Sequence, residues 1–562
     1  MLLQRLKEYA ARLDELPSSM YLKTPIKWII DLSLQGEFQG FVETTGQRKK
    51  NDRGKEFMTP HIGRSSGIQA KLLADNGEYV LGIGREDSKP ERVKECHHAF
   101  VDTLHKCADT AGEESIQVCL KFLETTKIDT LPLPNGFDTS HNITFRVGGI
   151  LPIELPVVRE YWAKLHTESK TDKTECLICG KTCSPVERLP IKIKGIPGGQ
   201  PSGMSLISAN ASAFESFGLT ASLIAPTCQE CGEQSHKAAN ILIRGDYTHI
   251  TIGSILYLFW TKEDVEFSPL PFFDKPKPEE VKALIESAWK GQERTSIDKT
   301  GFYATAFSSS GGRVVVRDWL ETTVGAVKEN LARWFLLQRI VEHTGEEGRP
   351  YGIYPLAASL YQNAKDISPN LPKVLLQTAL NGNPLPYWLL FCAINRNRAE
   401  QRVTHPRAAL IKMVLISNKD LGKGGEKMER LDSENKSPGY LCGRLLAVLE
   451  EAQRAAINPS ATIVDRFFGT ASSAPASVFS RLLRGSQAHL SKLRRDNTGA
   501  YYAIQQRLEG ILSGMNDFPA MLSLKEQGLF ALGYYHQRAQ HRADAIARKE
   551  AKLLKEEEKE NG

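Results

Sequence analysis

Four cysteines are the residues of this chain whose types and spacing most directly suggest a chemistry. They form two Cys-x-x-C pairs, Cys176/Cys179 and Cys228/Cys231. Two such pairs can supply four thiolates to a tetrahedral Zn²⁺ while the chain between them loops out. The alternative is four reduced cysteines in a core. The repeated spacing favours structural zinc, with Cys183 and His236 as spare ligands.

The segment between the two pairs is rich in glycine and proline. Gly198, Gly199 and Gly203 can supply positive φ and the nearby prolines stiffen the chain, so a plain β-turn would explain the segment without any ligand. The same glycines would also let the backbone approach a nucleic acid closely. The contacts would then be Lys192, Lys194, Gln200 and Ser202. The residues alone leave both interpretations open.

A helix predicted over 475–495 carries the clearest charge pattern. Its apolar residues fall on one side, and the other side presents Arg481, Arg484, Lys492 and Arg495 at helical spacing. A solvated helix face normally intersperses acids at i,i+4, and this stripe contains none. The pattern therefore favours a surface that binds phosphates.

Known catalytic patterns are missing from the sequence. No Walker A, His-Glu-x-x-His, Gly-x-Ser-x-Gly or dinucleotide fingerprint is present, and the acids are not grouped as a two-metal nuclease site requires. His97 and His98 lie on a predicted amphipathic helix, where packing or surface roles are commoner than catalysis. A binder and scaffold is the favoured class. A metal-dependent nuclease and a zinc-ribbon nucleic-acid-binding scaffold unrelated to defence remain alternatives.

The elements that must position these residues change in character along the chain. At 562 residues, 41% hydrophobic and 25% charged, the sequence is that of an ordinary multidomain globular protein, and a net charge of +6 permits nucleic-acid binding without requiring it. We predict an α+β fold: a mixed α/β part with a Cys-rich loop module, then an all-α part ending in a four-helix bundle. The predicted domains are 1–165, 166–317, 318–430 and 431–562.

The cysteines and the hydropathy suggest a compartment. Ten cysteines without a secretory segment at the amino terminus indicate reduced thiols in a cytoplasmic protein. No apolar run reaches membrane-spanning length, so no membrane partner is expected.

Several stretches together resemble one family, the large subunit of the type I-C CRISPR Cascade, an RNA-guided DNA surveillance complex. They include L-L-A-D-N-G-E-Y-V-L-G, C-L-I-C-G with K-G-I-P-G-G-Q-P-S-G, N-A-S-A-F-E-S-F-G, S-P-G-Y-L-C-G-R-L-L-A-V-L-E and E-Q-G-L-F-A-L-G-Y-Y-H-Q-R. As a set they are specific, although no single one is. The second cysteine pair is not among them, so zinc would be particular to this chain.

The resemblance implies a non-enzymatic subunit that contacts the 5′ end of the guide RNA, reads the PAM in double-stranded DNA and opens that duplex. Guide pairing would read the target while the protein supports the R-loop and holds the displaced strand. The partners implied are the backbone, 5′-end-binding and small subunits, and a separate helicase-nuclease that cleaves.

PAM reading needs short amides, hydroxyls and glycine backbone, with Arg or Lys on the flanking phosphates. The candidates with that chemistry are Arg64, Ser65, Ser66, Lys71, Asn76, Gln200, Ser202 and Asn210. Turn capping is the alternative for each of them, most strongly for Asn76 before Gly77. The stripe of 475–495 suits the displaced single strand, which needs charge rather than base recognition.

The resemblance also implies that the C-terminal helices are made separately, as a small subunit, from an internal start. Met428 follows Gly-Gly-Glu-Lys, whose codons GGN-GGN-GAR are compatible with a purine-rich ribosome-binding sequence. We predict Met428 as that start.

Overall fold

The predicted α+β architecture is confirmed. A computed structural model of the protein describes residues 1–13, 18–46, 52–64, 67–166, 173–189, 191–289, 296–417 and 428–560. They form two units, Met1–Gly245 with Thr305–Trp319 and Asp246–Ala304 with Leu320–Gly562. The four domain ranges proposed from the sequence stay predictions.

Among the described residues, the strands form two four-stranded sheets and two small two-stranded sheets. The first large sheet has the order β3-β2-β6-β5 and the second β12-β11-β10-β9, while β1 pairs with β4 and β7 with β8. The strands are β1 (Tyr21–Ile26), β2 (Trp28–Leu32), β3 (Phe38–Glu43), β4 (Lys55–Pro60), β5 (Ala74–Asn76), β6 (Asn142–Val147), β7 (Thr174–Glu175), β8 (Thr182–Cys183), β9 (His249–Ile252), β10 (Ile255–Thr261), β11 (Gly301–Ser310) and β12 (Arg313–Thr323).

Helices dominate the second half of the chain, as predicted. The helices are α1 (Leu2–Ala10), α2 (Gly77–Val80), α3 (Pro90–Ala111), α4 (Glu114–Thr125), α5 (Pro156–Leu165), α6 (Gln229–Arg244), α7 (Leu270–Asp274), α8 (Pro278–Trp289), α9 (Ser296–Lys299), α10 (Val324–Gln338), α11 (Ile353–Ala358), α12 (Asn370–Asn381), α13 (Tyr387–Glu400), α14 (His405–Ile416), α15 (Pro438–Ile457), α16 (Ile463–Ala471), α17 (Phe479–Asp496), α18 (Thr498–Leu512) and α19 (Leu524–Glu560). No helix of the described residues combines the length and the apolar character needed to span a bilayer.

The first sheet and the helices packed on it form the core of the first unit. β2 is antiparallel to β3 and parallel to β6, and Gly36 at φ +88° makes the β2–β3 turn. The buried Phe145 of β6 stacks on Phe100 of α3, with ring centroids 6.4 Å apart. Trp162 of α5 is also fully buried. Burial of these rings holds the helices on the sheet.

The C-terminal bundle has one helix more than predicted. The four helices expected from the sequence are present as α15, α17, α18 and α19, and the short α16 is added between the first two. Its capping box, Thr462 with Asp465, begins it. α16 could not be predicted from the sequence, because a helix of nine residues gives a weak periodic signal.

Glycines let α15 and α19 approach closely. A Cβ atom at Gly439 or Gly443 would collide with a backbone carbonyl oxygen of α19, and one at Gly533 would collide with the carbonyl oxygen of Tyr440. Glu526, near the start of α19, also joins this helix to the start of α15. Its Oε2 accepts hydrogen bonds of 2.7 Å from both the Ser437 hydroxyl and the Gly439 N–H. We call these three glycines the glycine seam.

Candidate metal centre and nucleic-acid interface

The two cysteine pairs converge. The first pair lies in the β7–β8 hairpin, where Gly180 at φ +71° donates its N–H to the Cys176 carbonyl at 2.8 Å and closes the turn. The second pair begins α6, with Cys228 as the N-cap residue. The four Sγ atoms of Cys176, Cys179, Cys228 and Cys231 all lie within 4.8 Å of one another. This is the arrangement that could hold a metal ion.

The donor set fits zinc. A Zn–S bond of about 2.3 Å places tetrahedral sulfurs about 3.8 Å apart, and the Cys179 and Cys228 sulfurs are 4.0 Å apart. Burial opposes ionisation of Cys176, but the N–H groups of Cys228, Cys179 and Ile178 point at its sulfur and lower its pKa to about 7. The Lys7 ammonium of α1 lies 3.2 Å from the Cys231 sulfur. Burial raises the pKa of Cys228 and of Cys231, whereas the backbone N–H groups at Cys176 and the Lys7 cation at Cys231 favour the thiolate forms that a four-sulfur zinc shell requires.

The two spare ligands differ in position. Cys183 of β8 is half-buried and packs against the four-cysteine cluster. His236 of α6 is fully buried and its Nδ1 lies 2.6 Å from the Ile191 carbonyl oxygen, so it supports the glycine-rich segment rather than the cluster. Burial lowers the pKa of His236 to about 4, which makes it a neutral hydrogen-bonding group.

The glycine-rich segment is a hairpin loop closed by two backbone hydrogen bonds of 2.8 Å between Ile193 and Met204. Gly198 has φ +67° in a turn closed from Gly199 N–H to Ile196 O at 3.0 Å. At Gly203, with φ +92°, a Cβ atom would lie 2.7 Å from the Cβ of Lys192. These glycines therefore serve the turns, as the alternative interpretation expected, while the loop surface stays open to a ligand.

Two of the loop candidates meet at the β11–β12 turn. The side-chain N–H of Asn210 donates to the Gly311 carbonyl at 2.6 Å. A Cβ atom at Gly312 would lie 3.3 Å from the Gln200 amide nitrogen, so both amides border this glycine pair. Gln200, Ser202 and Asn210 are all exposed.

The two lysines of the segment differ. Lys192 is half-buried and its ammonium donates to the Ser205 hydroxyl at 2.6 Å, and burial lowers its pKa. The Lys194 side chain is exposed, and its backbone N–H is held by Asn240 of α6 at 2.9 Å. Lys194 is therefore the more accessible cation.

The N-terminal candidates are largely engaged within the protein. Arg64 forms a bidentate pair with the buried carboxylate of Asp75, donates to the Gln69 carbonyl at 2.7 Å and lies over the Tyr79 ring. Asn76 caps α2, where its side chain accepts the Tyr79 N–H at 3.3 Å. This cap begins α2, so residues 77–80 are helical. Ser65 and Ser66 lie outside the described residues.

Lys71 links the N-terminal candidates to the glycine-rich loop. Burial lowers its pKa, and the charges of Arg64 and Lys194 act in the same direction while Asp75 opposes them. Lys194 belongs to the glycine-rich loop, so candidates from two separate sequence regions lie within electrostatic reach of each other. Lys194 is the exposed cation of this group, whereas Lys71 is half-buried and Arg64 is paired with Asp75.

The basic stripe of α17 is exposed along its length. Its four cations are Arg481, Arg484, Lys492 and Arg495. Only Arg495 has an acidic partner within the described ranges, Asp496 at 3.0 Å, and both side chains are exposed. Arg481 lies 5.4 Å from the centroid of the Phe467 ring. The opposite face is buried through Phe479, Leu482, Leu490 and Leu493, as the periodicity predicted.

The histidine pair of α3 has local partners. His97 Nδ1 lies 3.0 Å from the Tyr79 carbonyl oxygen, and the exposed His98 pairs with Asp102 at 3.2 Å. Across the described part of the chain, the only group of three or more His, Cys, Asp or Glu side chains placed to hold a metal is the four-cysteine cluster.

One exposed feature was missed in the sequence. Residues 210–220 form a fully exposed loop that carries Phe214 and Phe217, and Phe217 is 99% exposed. The sequence signal for an exposed turn here was the dipeptide Phe217-Gly218 within a run of small and polar residues. It passed unnoticed because isolated phenylalanines usually indicate core.

Comparison with known proteins identifies the class of this α+β chain with its cysteine cluster. A family model described as CRISPR-associated protein (Cas_Csd1) matches residues 3–542. The chain therefore belongs to this family of CRISPR-associated proteins. A search of curated proteins found no match.

Proposed function

We propose that the protein is the non-catalytic large subunit of a type I-C Cascade complex, which recognises the PAM in duplex DNA, promotes unwinding and supports the R-loop. Membership of a CRISPR-associated family supports the proposal. The observation that carries it is the α17 stripe, four exposed cations of which three lack an acidic partner among the described residues. Such a face suits the phosphates of the displaced strand.

The PAM-reading surface proposed here lies in the first unit. Gln200, Ser202 and Asn210 would offer short polar groups to base edges, and Lys71 with Lys194 would hold the flanking phosphates. Arg64 and Asn76 would instead hold their own segment in place, through the ion pair with Asp75 and the cap of α2.

The partners follow from this role. They are the guide RNA, the target DNA, the backbone, 5′-end-binding and small subunits, and a helicase-nuclease that the bound complex recruits in the cytoplasm. The protein itself breaks no covalent bond.

A gel shift of the assembled complex tests the proposal. Targets that carry the correct flanking motif should bind more tightly than targets with a scrambled flank and the same protospacer. Equal binding of the two targets would indicate a general nucleic-acid scaffold instead. DNA cutting with Mg²⁺ or Mn²⁺ that survives stringent purification would indicate a nuclease.

We also propose that the four-cysteine cluster holds a structural Zn²⁺, which would staple the β7–β8 hairpin to the start of α6. Protein purified without added metal should contain one zinc per chain by mass spectrometry. Cys176→Ser should lose it, and Cys392→Ser, at a free cysteine of α13, should keep it. Four freely titrating thiols in a zinc-free native chain would favour reduced cysteines.

The internal start at Met428 belongs to the same proposal. Met428 precedes α15, whose Tyr440 hydroxyl lies 3.0 Å from Nδ1 of the buried His536 of α19. Ribosome profiling should show initiation at Met428. Intact expression of the C-terminal fragment after Met428 is recoded would contradict the assignment.

A further inference from the structure

The exposed loop 210–220 ends in a turn that is unusual for its residues. The backbone hydrogen bond from Ala209 N–H to Ala221 O, 2.8 Å, closes its base, and one from Leu219 N–H to Ser216 O, 2.9 Å, closes its tip. The two residues inside the tip, Phe217 and Gly218, have φ of +54° and +73°. Positive φ at both central positions is the geometry of a type I′ turn.

A phenylalanine at this position is unfavourable for folding. The left-handed region suits Gly, Asn and Asp, and a bulky residue there is an outlier that clusters at functional sites. The ring gains no burial in return, because Phe217 is 99% exposed. The left-handed backbone thus costs stability and burial of the ring offsets none of that cost, which indicates a partner outside this chain.

The chemistry around the loop favours a nucleobase as that partner. The Arg313 guanidinium lies 3.5 Å from the centroid of the Phe214 ring, so a second aromatic ring and a planar cation stand in the same loop region. The amides of Asn210 and Gln200 border the neighbouring β11–β12 turn. Aromatic rings, arginine planes and amides are what proteins use to hold splayed bases.

A protein partner fits less well. Protein-docking sites are contiguous apolar patches, whereas the tip ring has Ser216 and Gly218 as its chain neighbours and Glu215 beyond them. The other exposed apolar side chains of the loop, Phe214 and Leu219, are only 45% and 37% exposed, and Arg313 covers the Phe214 ring. The one fully projecting ring therefore suits insertion against one base face.

We propose that Phe217 stacks on an unpaired nucleobase, with Arg313 on Phe214 supporting the loop beneath it. The proposal rests on the nucleic-acid-binding function proposed above and assigns a specific residue to it. The base comes from the guide RNA or from opened target DNA, and separate probes distinguish these two sources.

Binding of labelled single-stranded RNA and DNA of matched mixed sequence to the full-length chain tests the stack. Phe217→Ala should weaken binding of the relevant strand about 5- to 100-fold, which is the usual range for one base stack. The slope of log K against log salt should stay unchanged, because no phosphate contact is lost. Phe217→Trp should bind like the wild type. Tyr247→Ala, at another highly exposed aromatic residue, is the matched control and should have no effect.

A second variant separates stacking from folding. Phe217→Gly relieves the left-handed strain, so it should raise the thermal midpoint while it weakens binding. Probes that carry 5-iodouracil should cross-link to residue 217 in the wild type and lose that cross-link in Phe217→Ala.

The contrary outcomes are distinct. If the wild type binds neither probe, the proposed nucleic-acid function fails as well. If Phe217→Ala binds both probes like the wild type while the α17 stripe variants bind weakly, only the stacking inference fails. Loss of another Cascade subunit from Phe217→Ala, with nucleic-acid binding intact, would show that the loop docks a protein.

Discussion

Two regions with similar polar composition use their charges in opposite ways. In the Arg64–Asn76 segment, Arg64 is paired with Asp75, which is 1% exposed, and Asn76 caps a helix. In the α17 stripe the cations are exposed, and the one acidic partner found among the described residues is the neighbouring surface residue Asp496. Charges that are engaged within the fold contribute stability, whereas unpaired exposed charges are available to a ligand. Residue type alone does not distinguish the two uses.

The largest expected effect is on the stripe. Replacing Arg481, Arg484, Lys492 and Arg495 together with Gln should weaken single-stranded DNA binding about 10²- to 10³-fold at about 0.1 M salt and reduce the salt slope by about 2.8, since each cation contributes about 0.7. Fluorescence anisotropy across a salt series measures both quantities. The thermal midpoint should not move, because the four side chains are exposed.

The matched control for that variant removes the same charge elsewhere. Lys89, Arg92, Lys94 and Lys106 are exposed on or beside α3, where acids alternate with them. Their replacement with Gln should change affinity far less than the stripe variant does. Equal losses from the two quadruple variants would show that net charge, rather than the stripe, governs binding.

The next largest effect is on stability. Arg64→Ala should lower the free energy of unfolding by about 2–3 kcal/mol, because it leaves the buried Asp75 carboxylate without its cation. Arg64 is partly exposed, which limits the loss. Denaturant titration measures it, and Arg64→Ala with Asp75→Asn should lose less than the single variant. Weakened DNA binding at unchanged stability would place Arg64 with the ligand-facing cations instead.

A smaller effect is expected at the helix cap. Asn76→Ala should cost about 1 kcal/mol of stability, the usual contribution of an N-cap side chain, and Asn76→Asp should retain most of it. Thermal unfolding of the two variants checks this. If Asn76→Ala instead changed PAM discrimination without changing stability, Asn76 would have to be reassigned as a base contact.

The smallest expected effect lies within the stripe itself. Arg484→Gln should lose about fivefold in affinity for single-stranded DNA at about 0.1 M salt, and Arg495→Gln should lose less because Asp496 already offsets part of its charge. Asp496→Asn should bind slightly more tightly than the wild type. Identical losses at positions 484 and 495 would mean that the surface pair has no effect, as for many exposed pairs.

Patterns that are local in sequence were predictable. The spacing of the two cysteine pairs predicted that their four sulfurs lie together, as they do. The 3.6-residue period of the apolar residues predicted the buried face of α17. The apolar run 238–243 shows the limit of such patterns, because its sequence is typical of a strand although it lies within α6. Ala238, Ala239 and Leu242 are all buried there, and a short apolar run does not distinguish a buried helix from a strand.

Interactions between distant residues could not be predicted. The sequence does not indicate that Arg64 pairs with Asp75 or that Lys71 lies near Lys194. Both contacts depend on the tertiary conformation of the loops that carry these residues. Phe217 could be recognised as a candidate binding residue only from the structure, which gives its positive φ and its exposure. The sequence therefore supplied candidate contacts by their chemistry, but it could not divide them into residues engaged within the fold and residues accessible to a ligand.

The glycine seam has a consequence for a product that starts at Met428. Such a fragment would keep the tight α15–α19 pair, but it would lack the earlier helices against which α19 also packs. In the full-length chain, Gly528 packs against Leu390 and Ile411. The Tyr535 hydroxyl donates to the Val341 carbonyl at 2.8 Å. Both contacts would be absent from the shorter product. The shorter product would therefore fold around the α15–α19 pair but expose the surface that the earlier helices cover in the full-length chain. We expect this surface to bind another protein in their place.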